Sequence, residues 1–265
     1  MDEKKKIFTD YFNEGRIARI TLDNPPLNLT TLKILDQLME AVLQVSFDEK
    51  VRVVVITAAG DRIFCGGSDL KEFPMIRDNF IEKKLRKENA IFSRLESMDK
   101  PVIAAINAQA LGGGCEMALA CDFIVLDERA KIGQPEINIG TFPGSGATFR
   151  LPRRVGIPKA MEMLCLGTAL SADEALECGL VNRIAPAGCS WQCAYELALE
   201  LASKPKFALK CIKTLCREAY TQTPAEAIER SMALSEIILK TPDSIEGTKA
   251  FFEKRSPVFE GAITK

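Results

Sequence analysis

The chain has 265 residues, of which 47% are hydrophobic and 27% charged, which is enough apolar material for a sizeable core in an α/β protein. Lysine and arginine number 35 against 36 aspartates and glutamates, and this balance argues against a nucleic-acid-binding surface. No apolar stretch of about eighteen residues is present, and the charged residues 1–6 lead into no signal-like hydrophobic run. The sequence therefore predicts a soluble, cytoplasmic protein that binds neither membrane nor nucleic acid.

The sequence contains no histidine. This absence removes Ser–His and Cys–His nucleophiles, imidazole acids and bases, and His-ligated metal sites. Acid–base chemistry must therefore come from carboxylates, lysine, tyrosine or cysteine. The nine cysteines form no CxxC pair and lie mostly in apolar or helical contexts, so we interpret them as buried, reduced thiols in a reducing compartment. Metal binding by a thiolate cluster is the weaker alternative, and we expect no metal site.

Short apolar runs predict strands at 16–22, 51–57, 101–106, 122–127 and 181–184. The β-branched run at 51–57 predicts a strand that is buried on both faces. Apolar residues spaced by three and four predict helices at 30–47, 71–99, 159–165 and 172–178, the last opened by the capping pattern of Ser171 and Glu174. Helical patterns prevail after residue 191. We therefore predict an α/β core over residues 1–190 and a helical carboxyl-terminal part over residues 191–265.

Three consecutive glycines, Gly112, Gly113 and Gly114, separate the predicted strand at 101–106 from a segment with helical spacing. Glycines at such a point let the backbone turn sharply and approach a ligand closely. The free N–H groups at the start of the helix then form a seat for an oxygen that gains negative charge. Glu116 falls in the first helical turn, where a cap or dipole complement is the simple alternative to a catalytic carboxylate.

A second glycine turn, Gly66-Gly67, follows the apolar residues Phe64 and Cys65 and precedes Ser68. Taken alone, this turn is a strand-to-helix loop. Two glycine turns that each follow a strand can, however, place two N–H donors around one oxygen. That arrangement is the geometry of an oxyanion hole.

Glu136 lies in a loop rich in glycine and proline, between Pro135 and Ile137. A partly apolar wall at this point would raise the pKa of the carboxyl group and suit it to proton transfer. A surface glutamate in a loop is the alternative. The basic cluster at 83–87 predicts a solvated helix face, with contact to a phosphate as the weaker interpretation.

Several stretches resemble the crotonase superfamily of enoyl-CoA hydratases and isomerases, namely FCGGSDL, PVIAAINAQALGGGCEMALACDFIV, GQPEINIGTFPGSGATFRLPRRVG, ALSADEALECGLVN and FFEKRSPVF. The resemblance covers nearly the whole chain and is more specific for the superfamily than for one reaction. It implies an α/β fold in which repeated ββα units wind as a spiral, with a helical carboxyl-terminal region that helps to build homo-trimers or homo-hexamers. It also implies an acyl-CoA thioester substrate, with coenzyme A as part of the substrate and no separate cofactor.

The resemblance also implies roles for individual residues. Ser68 and Gly113 would each donate a backbone N–H to the thioester oxygen. Glu116 and Glu136 match the two glutamates of the hydratases, whereas enzymes that only shift a double bond often lack the first. The resemblance thus predicts syn addition of water across the 2,3 double bond of a 2-enoyl-CoA, with Glu116 as the base toward water and Glu136 as the acid toward C2.

Coenzyme A contacts are implied by position in the same motifs. Pro26, Leu27 and Asn28, with the backbone of Cys65 and Gly66, match segments that border coenzyme A in relatives. Two basic residues near the carboxyl terminus are candidates for its phosphates, from the same or a neighbouring subunit, namely Lys249 and Lys254.

The chain departs from the family pattern near the expected acyl pocket, where Phe149 replaces the usual glutamine and Phe142 adds a second ring. Such changes can select a cyclic, aromatic or short acyl group. Other reactions on the same scaffold stay open as alternatives, namely enoyl-CoA isomerisation, hydration of a cyclic dienoyl-CoA and hydrolysis of a thioester. A catalytically silent acyl-CoA-binding subunit and an additional RNA-binding role are weaker alternatives.

Overall fold

The computed structural model of the protein describes residues 5–259, so that residues 1–4 and 260–265, at the outer ends of the two predicted parts, lie outside it. Strands occupy Ile7–Phe12 (β1), Ile17–Leu22 (β2), Val53–Ala58 (β3), Ile63–Cys65 (β4), Val102–Ile106 (β5), Gln109–Leu111 (β6), Phe123–Asp127 (β7), Ile132–Gly133 (β8), Ala169–Leu170 (β9) and Arg183–Ala185 (β10). Helices occupy Leu32–Phe47 (α1), Phe73–Ile76 (α2), Arg86–Ser97 (α3), Gly113–Leu119 (α4), Ala147–Leu166 (α5), Ala172–Glu177 (α6), Ser190–Ala202 (α7), Lys206–Glu218 (α8), Pro224–Ile238 (α9) and Pro242–Phe252 (α10). Among these residues, no helix has both the length and the apolar character needed to cross a bilayer.

In the described part of the chain, the strands form two sheets that the chain visits in alternation. A six-stranded sheet has the order β1-β2-β3-β5-β7-β10, and a four-stranded sheet has the order β4-β6-β8-β9. The pairs β1–β2 and β8–β9 are antiparallel, and the other pairs are parallel. Each repeat unit of the chain adds one strand to the large sheet, one strand to the small sheet and then a helix. The three units are β3-β4-α3, β5-β6-α4 and β7-β8-α5. The predicted spiral of ββα units is confirmed.

Helix α1 confirms the amphipathic helix predicted at 30–47. It begins at Leu32 because Thr31 has an extended backbone and its hydroxyl accepts a hydrogen bond from the Ile34 N–H at 3.3 Å. The buried side chains Leu35 and Leu38 pack in the same core as the inward residues of β2 and β3. Burial of this apolar face holds α1 against one side of the large sheet.

The opposite side of the large sheet is covered by α7, the first helix of the carboxyl-terminal part. Ala194 and Ala198 of α7 pack against β3, β5 and β7. Strand β3 is therefore buried on both faces, as its β-branched run predicts. The helical part begins at Ser190, but its first helix belongs to the packing of the sheet. A domain boundary at residue 190 stays a prediction.

Residues 71–99 form a series of turns that ends in one helix. Pro74 lies in the single turn of α2, and a π-helical turn over Ile81–Leu85 precedes α3. The predicted apolar stripe of α3 is confirmed, since its members Ile91, Phe92 and Leu95 are buried. The solvated face predicted at 83–87 is wrong at Lys84, which is fully buried because its ammonium group finds a carbonyl and a carboxylate inside the protein.

The remaining differences concern short or kinked elements. The helix predicted at 159–165 is the second half of α5, which starts at Ala147 and kinks at Gly156. The capping box of Ser171 and Glu174 is confirmed, with both reciprocal hydrogen bonds formed. Strand β1 was not predicted. The strands of the small sheet were not predicted either, since two or three residues carry no readable period.

All nine cysteines are free thiols. The interpretation of buried cysteines is confirmed for Cys65, Cys115, Cys121 and Cys211. It is wrong for three that lie on outward-facing positions near or within helices, namely Cys165, Cys189 and Cys216. A helical context therefore did not distinguish the buried face of a helix from its solvent face.

Replacing Thr31 by alanine should lower the free energy of unfolding by about 1 kcal/mol, because the Ile34 N–H loses its cap. Urea denaturation followed by circular dichroism measures this change. Thr31→Ser keeps the hydroxyl and is the matched control. Equal stabilities of the alanine and serine variants would show that the cap contributes nothing.

Candidate active site

The triple glycine forms the turn between β6 and α4. Gly112 has φ +55° and ψ −125°, a backbone conformation that side-chain-bearing residues rarely adopt. The chain then enters α4 at Gly113, and the Glu116 N–H donates to the Gly112 carbonyl at 2.9 Å. Glu116 consequently lies in the first turn of α4, as predicted. The Gly113 N–H has no earlier helical carbonyl to bond.

The second glycine turn contacts the first directly. A Cβ on Gly67 would lie 3.0 Å from the Gly113 nitrogen, and a Cβ on Gly113 would lie 3.9 Å from the Ser68 nitrogen. Neither the Ser68 nor the Gly113 N–H is a donor among the backbone hydrogen bonds of residues 5–259. The structure thus brings the two predicted donors side by side, with both hydrogens free to bind one external oxygen.

Close helix–strand packing holds the two turns together. A Cβ on Gly114 would overlap the carbonyl oxygen and Cβ of Cys65, so only glycine allows α4 to lie this close to β4. The Cys65 side chain is itself fully buried. The position of Gly113 relative to Ser68 is therefore set by backbone contact between α4 and β4.

Glu116 is buried, with 3% of its surface exposed. Its Oε1 accepts hydrogen bonds from the Ser145 N–H at 2.7 Å and from the Ala147 N–H at 3.1 Å. Burial raises the pKa of Glu116 to about 7, and the negative charges of Glu136 and Glu88 add to this rise against the two N–H bonds. The carboxyl group can therefore be protonated or ionised near neutral pH.

Glu136 begins a short 3-10 turn, Glu136–Ile139, and its carboxylate lies over the first glycine turn. A Cβ on Gly112 would be 2.8 Å from Glu136 Oε1, so the absence of a side chain on Gly112 makes room for this carboxylate. The group is partly buried, and burial raises its pKa, with the charge of Glu88 adding to the effect. Both predicted glutamates therefore flank the paired N–H groups.

Gln134 supports the carboxylate of Glu136. It is fully buried, and with its carboxamide oriented to satisfy both ends, its NH2 donates to both Glu136 oxygens at 3.1 Å. Sequence reasoning did not single it out, although it precedes the Pro-Glu dipeptide.

The segments predicted to border coenzyme A come together beside the second glycine turn. The Gly66 N–H donates to the Leu27 carbonyl at 3.0 Å, and the Asn28 carboxamide donates to the Ile63 carbonyl at 2.9 Å. Pro26 and Leu27 are exposed, whereas Cys65 is buried and offers only its backbone. These contacts place the five predicted residues at one edge of the site.

Lys249 and Lys254 belong to the last helix and to the tail that follows it. Lys249 lies on α10, exposed, with its Nζ 3.9 Å from Glu253 Oε1. The start of α10 and the following tail lie beside Arg52, which precedes β3 and donates to the Phe259 carbonyl. The two glycine turns follow β4 and β6. A role for these lysines toward phosphate, in the same or a neighbouring subunit, stays a prediction.

The two phenylalanines that depart from the family pattern, Phe149 and Phe142, have different surroundings. The Phe149 ring stacks on the guanidinium groups of Arg150 and Arg153, 4.5 and 5.4 Å from the ring centre, and Arg153 also covers Tyr220. Phe149 also lies against the loop that binds Glu116, because a Cβ on Gly146 would be 3.1 Å from Phe149 Cε1. Phe142 is largely exposed next to the loop that binds Glu116. An effect of either ring on the acyl group stays a prediction.

Glu88 is a second polar residue at this site that sequence reasoning missed. It is buried on α3, and its carboxylate accepts hydrogen bonds from Ser145 Oγ at 2.7 Å and from Ser68 Oγ at 3.3 Å. A signal existed in the sequence, because Lys84, Glu88 and Leu95 share the face of the apolar stripe.

Comparison with known proteins identifies the family. The family model described as "Enoyl-CoA hydratase/isomerase" matches residues 13–262. The chain is 38% identical to a probable enoyl-CoA hydratase of Bacillus subtilis, over 92% of this chain and 95% of the relative. It is 37% identical to the mitochondrial enoyl-CoA hydratase of Pongo abelii, over 92% of this chain and 83% of the relative.

The fold also closely resembles the folds of solved structures. The crystal structure of an enoyl-CoA hydratase from Bacillus anthracis superposes with a TM-score of 0.93 at 33% identity, covering 97% of this chain and 100% of that one. The fold, the paired glycine turns and the two glutamates agree with these similarities. The chain belongs to the enoyl-CoA hydratase/isomerase family of the crotonase superfamily.

Proposed function

We propose that this protein is an enoyl-CoA hydratase that adds water across the 2,3 double bond of a 2-enoyl-CoA thioester. One observation carries the proposal, namely that Glu116 and Glu136 flank two adjacent free N–H groups and both have raised pKa values. Retention of both glutamates favours hydration over a simple double-bond shift. The curated relatives named as hydratases support the same reaction.

The thioester oxygen binds between the N–H groups of Ser68 and Gly113. As the nucleophile attacks C3, negative charge moves onto this oxygen, and each correctly placed donor stabilises the transition state by about 3 kcal/mol. The donors are fixed by glycine packing and need no reorganisation during the reaction. Their side chains are not required for this role.

Each of the two carboxylates carries out one of the two proton transfers of hydration. Glu116, ionised, accepts a proton from the water whose oxygen forms the bond to C3. Glu136, protonated, delivers its proton to C2, and both new bonds form on the same face of the double bond. Because the two groups share one site and one water, their titration is coupled and belongs to the pair. No redox cofactor or metal is needed, since the reaction moves only a water molecule and protons.

Substrate binding and assembly extend the proposal. Coenzyme A lies along Pro26, Leu27, Asn28, Cys65 and Gly66 as part of the substrate. The protein forms homo-trimers or homo-hexamers through its carboxyl-terminal helices, where Ile228, Leu239 and Phe251 are exposed apolar residues. Lys249 and Lys254 then approach a neighbour's coenzyme A phosphates. The location is cytoplasmic, in keeping with nine free thiols.

The direct test is product analysis with a short 2-enoyl-CoA. A hydratase gives the 3-hydroxyacyl-CoA and removes the enoyl-thioester absorbance. An isomerised product, free coenzyme A, or tight binding without turnover would instead indicate an isomerase, a hydrolase or a silent acyl-CoA-binding subunit. Turnover restricted to a cyclic dienoyl-CoA would show that the substrate's acyl group is cyclic.

Glu116→Gln and Glu136→Gln should each lower kcat by about 10²- to 10⁴-fold with little change in substrate affinity, because both groups act in the transition state. Steady-state kinetics with a 2-enoyl-CoA measure the effect. Glu236→Gln, at an exposed position on α9, is the control and should match wild type. Full activity in either active-site variant would remove that residue from the mechanism.

Gly114→Ala should lower kcat by about 10²- to 10³-fold, because its Cβ forces α4 away from the Cys65 backbone and separates the two N–H donors. Gly247→Ala is the matched control, since its Cβ on helix α10 meets only ordinary contacts. Unchanged turnover in folded Gly114→Ala would show that oxygen stabilisation lies elsewhere.

The acidic limb of the kcat/KM profile should fall near pH 7, far above that of an ordinary glutamate. Burial raises the pKa of Glu116 to about 7, so the base form of the coupled Glu116–Glu136 pair is lost as the pH falls below about 7. Hydration rates measured between pH 4.5 and 9 test this sign. A limb near the ordinary value for glutamate would contradict the role of a buried base.

A further inference from the structure

Lys84 and Glu88 form a buried ion pair that the mechanism above does not use. Lys84 has 0% and Glu88 2% of its surface exposed, and Lys84 Nζ lies 3.3 Å from Glu88 Oε1. Removing two charges from water is expensive, and such pairs are weak contributors to stability. A pair of this kind beside an active site therefore calls for a role other than holding the fold.

The pair joins three segments that build the site. Lys84 Nζ donates to the Thr30 carbonyl at 2.6 Å, and the Thr30 hydroxyl donates to Glu88 Oε1 at 3.2 Å. The Ser68 hydroxyl donates to the same oxygen at 3.3 Å. The Ser145 hydroxyl donates to Glu88 Oε2 at 2.7 Å. One carboxylate thus connects the end of the second glycine turn with the loop before α5.

Ser145 forms a direct link between two carboxylates. Its hydroxyl binds Glu88, while its backbone N–H binds Glu116 Oε1 at 2.7 Å. It is fully buried, so neither bond exchanges with bulk water. Helix α3 also holds the preceding residue, because the Asn89 carboxamide donates to the Gly144 carbonyl at 3.1 Å. A shift of Glu88 would therefore move the N–H group that orients Glu116.

We propose that the Lys84–Glu88 pair is a positioning device that fixes Ser145 against Glu116 and Ser68 beside Gly113, and that Glu88 is electrostatically coupled to Glu116 across Ser145. The catalytic part of this inference rests on the proposed hydratase function. Glu88 acts through Ser145, whose N–H holds Glu116, and through Ser68, and it does not itself contact the reacting atoms.

The electrostatic part follows from the charges around Glu116. The carboxylates that face it are Glu136 and Glu88, the thiol of Cys115 is its neighbour on α4, and Lys84 is paired with Glu88. The negative charge of Glu88 raises the pKa of Glu116, so its removal must lower that pKa. A pair too distant from Glu116, or too fully compensated, to act on it would leave this titration unchanged.

The first experiment measures Glu116 directly and needs no turnover. Protein labelled with ¹³C at the glutamate carboxyl carbon is titrated by NMR, and the Glu116 signal is identified by its absence in Glu116→Gln. In the double variant Lys84→Met with Glu88→Gln, which leaves no lone buried charge, the Glu116 signal should titrate about half a pH unit lower or more. The control double variant Lys213→Met with Asp122→Asn removes another pair, 2.7 Å apart and largely buried, and should leave the titration unchanged.

The second experiment separates position from charge. Ser145→Ala keeps the backbone N–H that binds Glu116 and removes only the hydroxyl that binds Glu88. It should lower kcat for 2-enoyl-CoA hydration by about ten- to a hundredfold with KM within about twofold, because a small misplacement of a catalytic group is sufficient for such a loss. Ser145→Thr, which restores a hydroxyl, should recover part of the rate.

The outcomes are distinct. An unchanged Glu116 titration in the Lys84/Glu88 double variant would overturn the inference and reduce the pair to a structural role, as would a wild-type kcat in Ser145→Ala. If the wild-type protein does not hydrate any enoyl-CoA but the Glu116 titration moves as stated, the proposed function fails while the coupling between Glu88 and Glu116 stands.

Discussion

Backbone contact between two glycine turns is the constraint on which the rest of the site depends. Gly67 and Gly113 touch without side chains between them, and Gly114 lies against the Cys65 backbone at a distance that excludes a Cβ. The small sheet makes this contact possible, since β4 and β6 pair in parallel and deliver both turns at the same edge. The large sheet and the helices on its two faces supply most of the core, and they fix where that edge lies.

Burial gives the carboxylates the properties that histidine provides in other enzymes. In a chain without histidine, a group that titrates near neutral pH must be a perturbed carboxyl, thiol or amine. Glu116 reaches that range because it is enclosed and lies near two other carboxylates, while two N–H bonds keep it from being permanently protonated. The same enclosure requires compensation, which Lys84 supplies to Glu88. The electrostatics of the site therefore depend on the packing of α3, which carries Glu88.

Sequence patterns predicted the parts of this molecule that depend on local periodicity or on family motifs. Strands β2, β3, β5 and β7, helix α1, the stripe of α3 and the capping box at Ser171 follow from spacing. The candidate site residues Glu116, Glu136, Ser68 and Gly113 follow from position in motifs. The strands of the small sheet escaped prediction because their stability comes from pairing between distant segments. Lys84 and Glu88 escaped because charged residues are mostly exposed, and only tertiary contacts with Thr30 and Ser145 make their burial favourable.

The most direct test of this account is the loss of enoyl-thioester absorbance when crotonyl-CoA is mixed with the wild-type protein and, in parallel, with Glu116→Gln. The account predicts rapid loss with the wild type, formation of 3-hydroxybutyryl-CoA, and near abolition of both in the variant. Equal rates in the two proteins would contradict the assignment of Glu116 as the base, and no loss with either protein would contradict hydration of a short 2-enoyl-CoA.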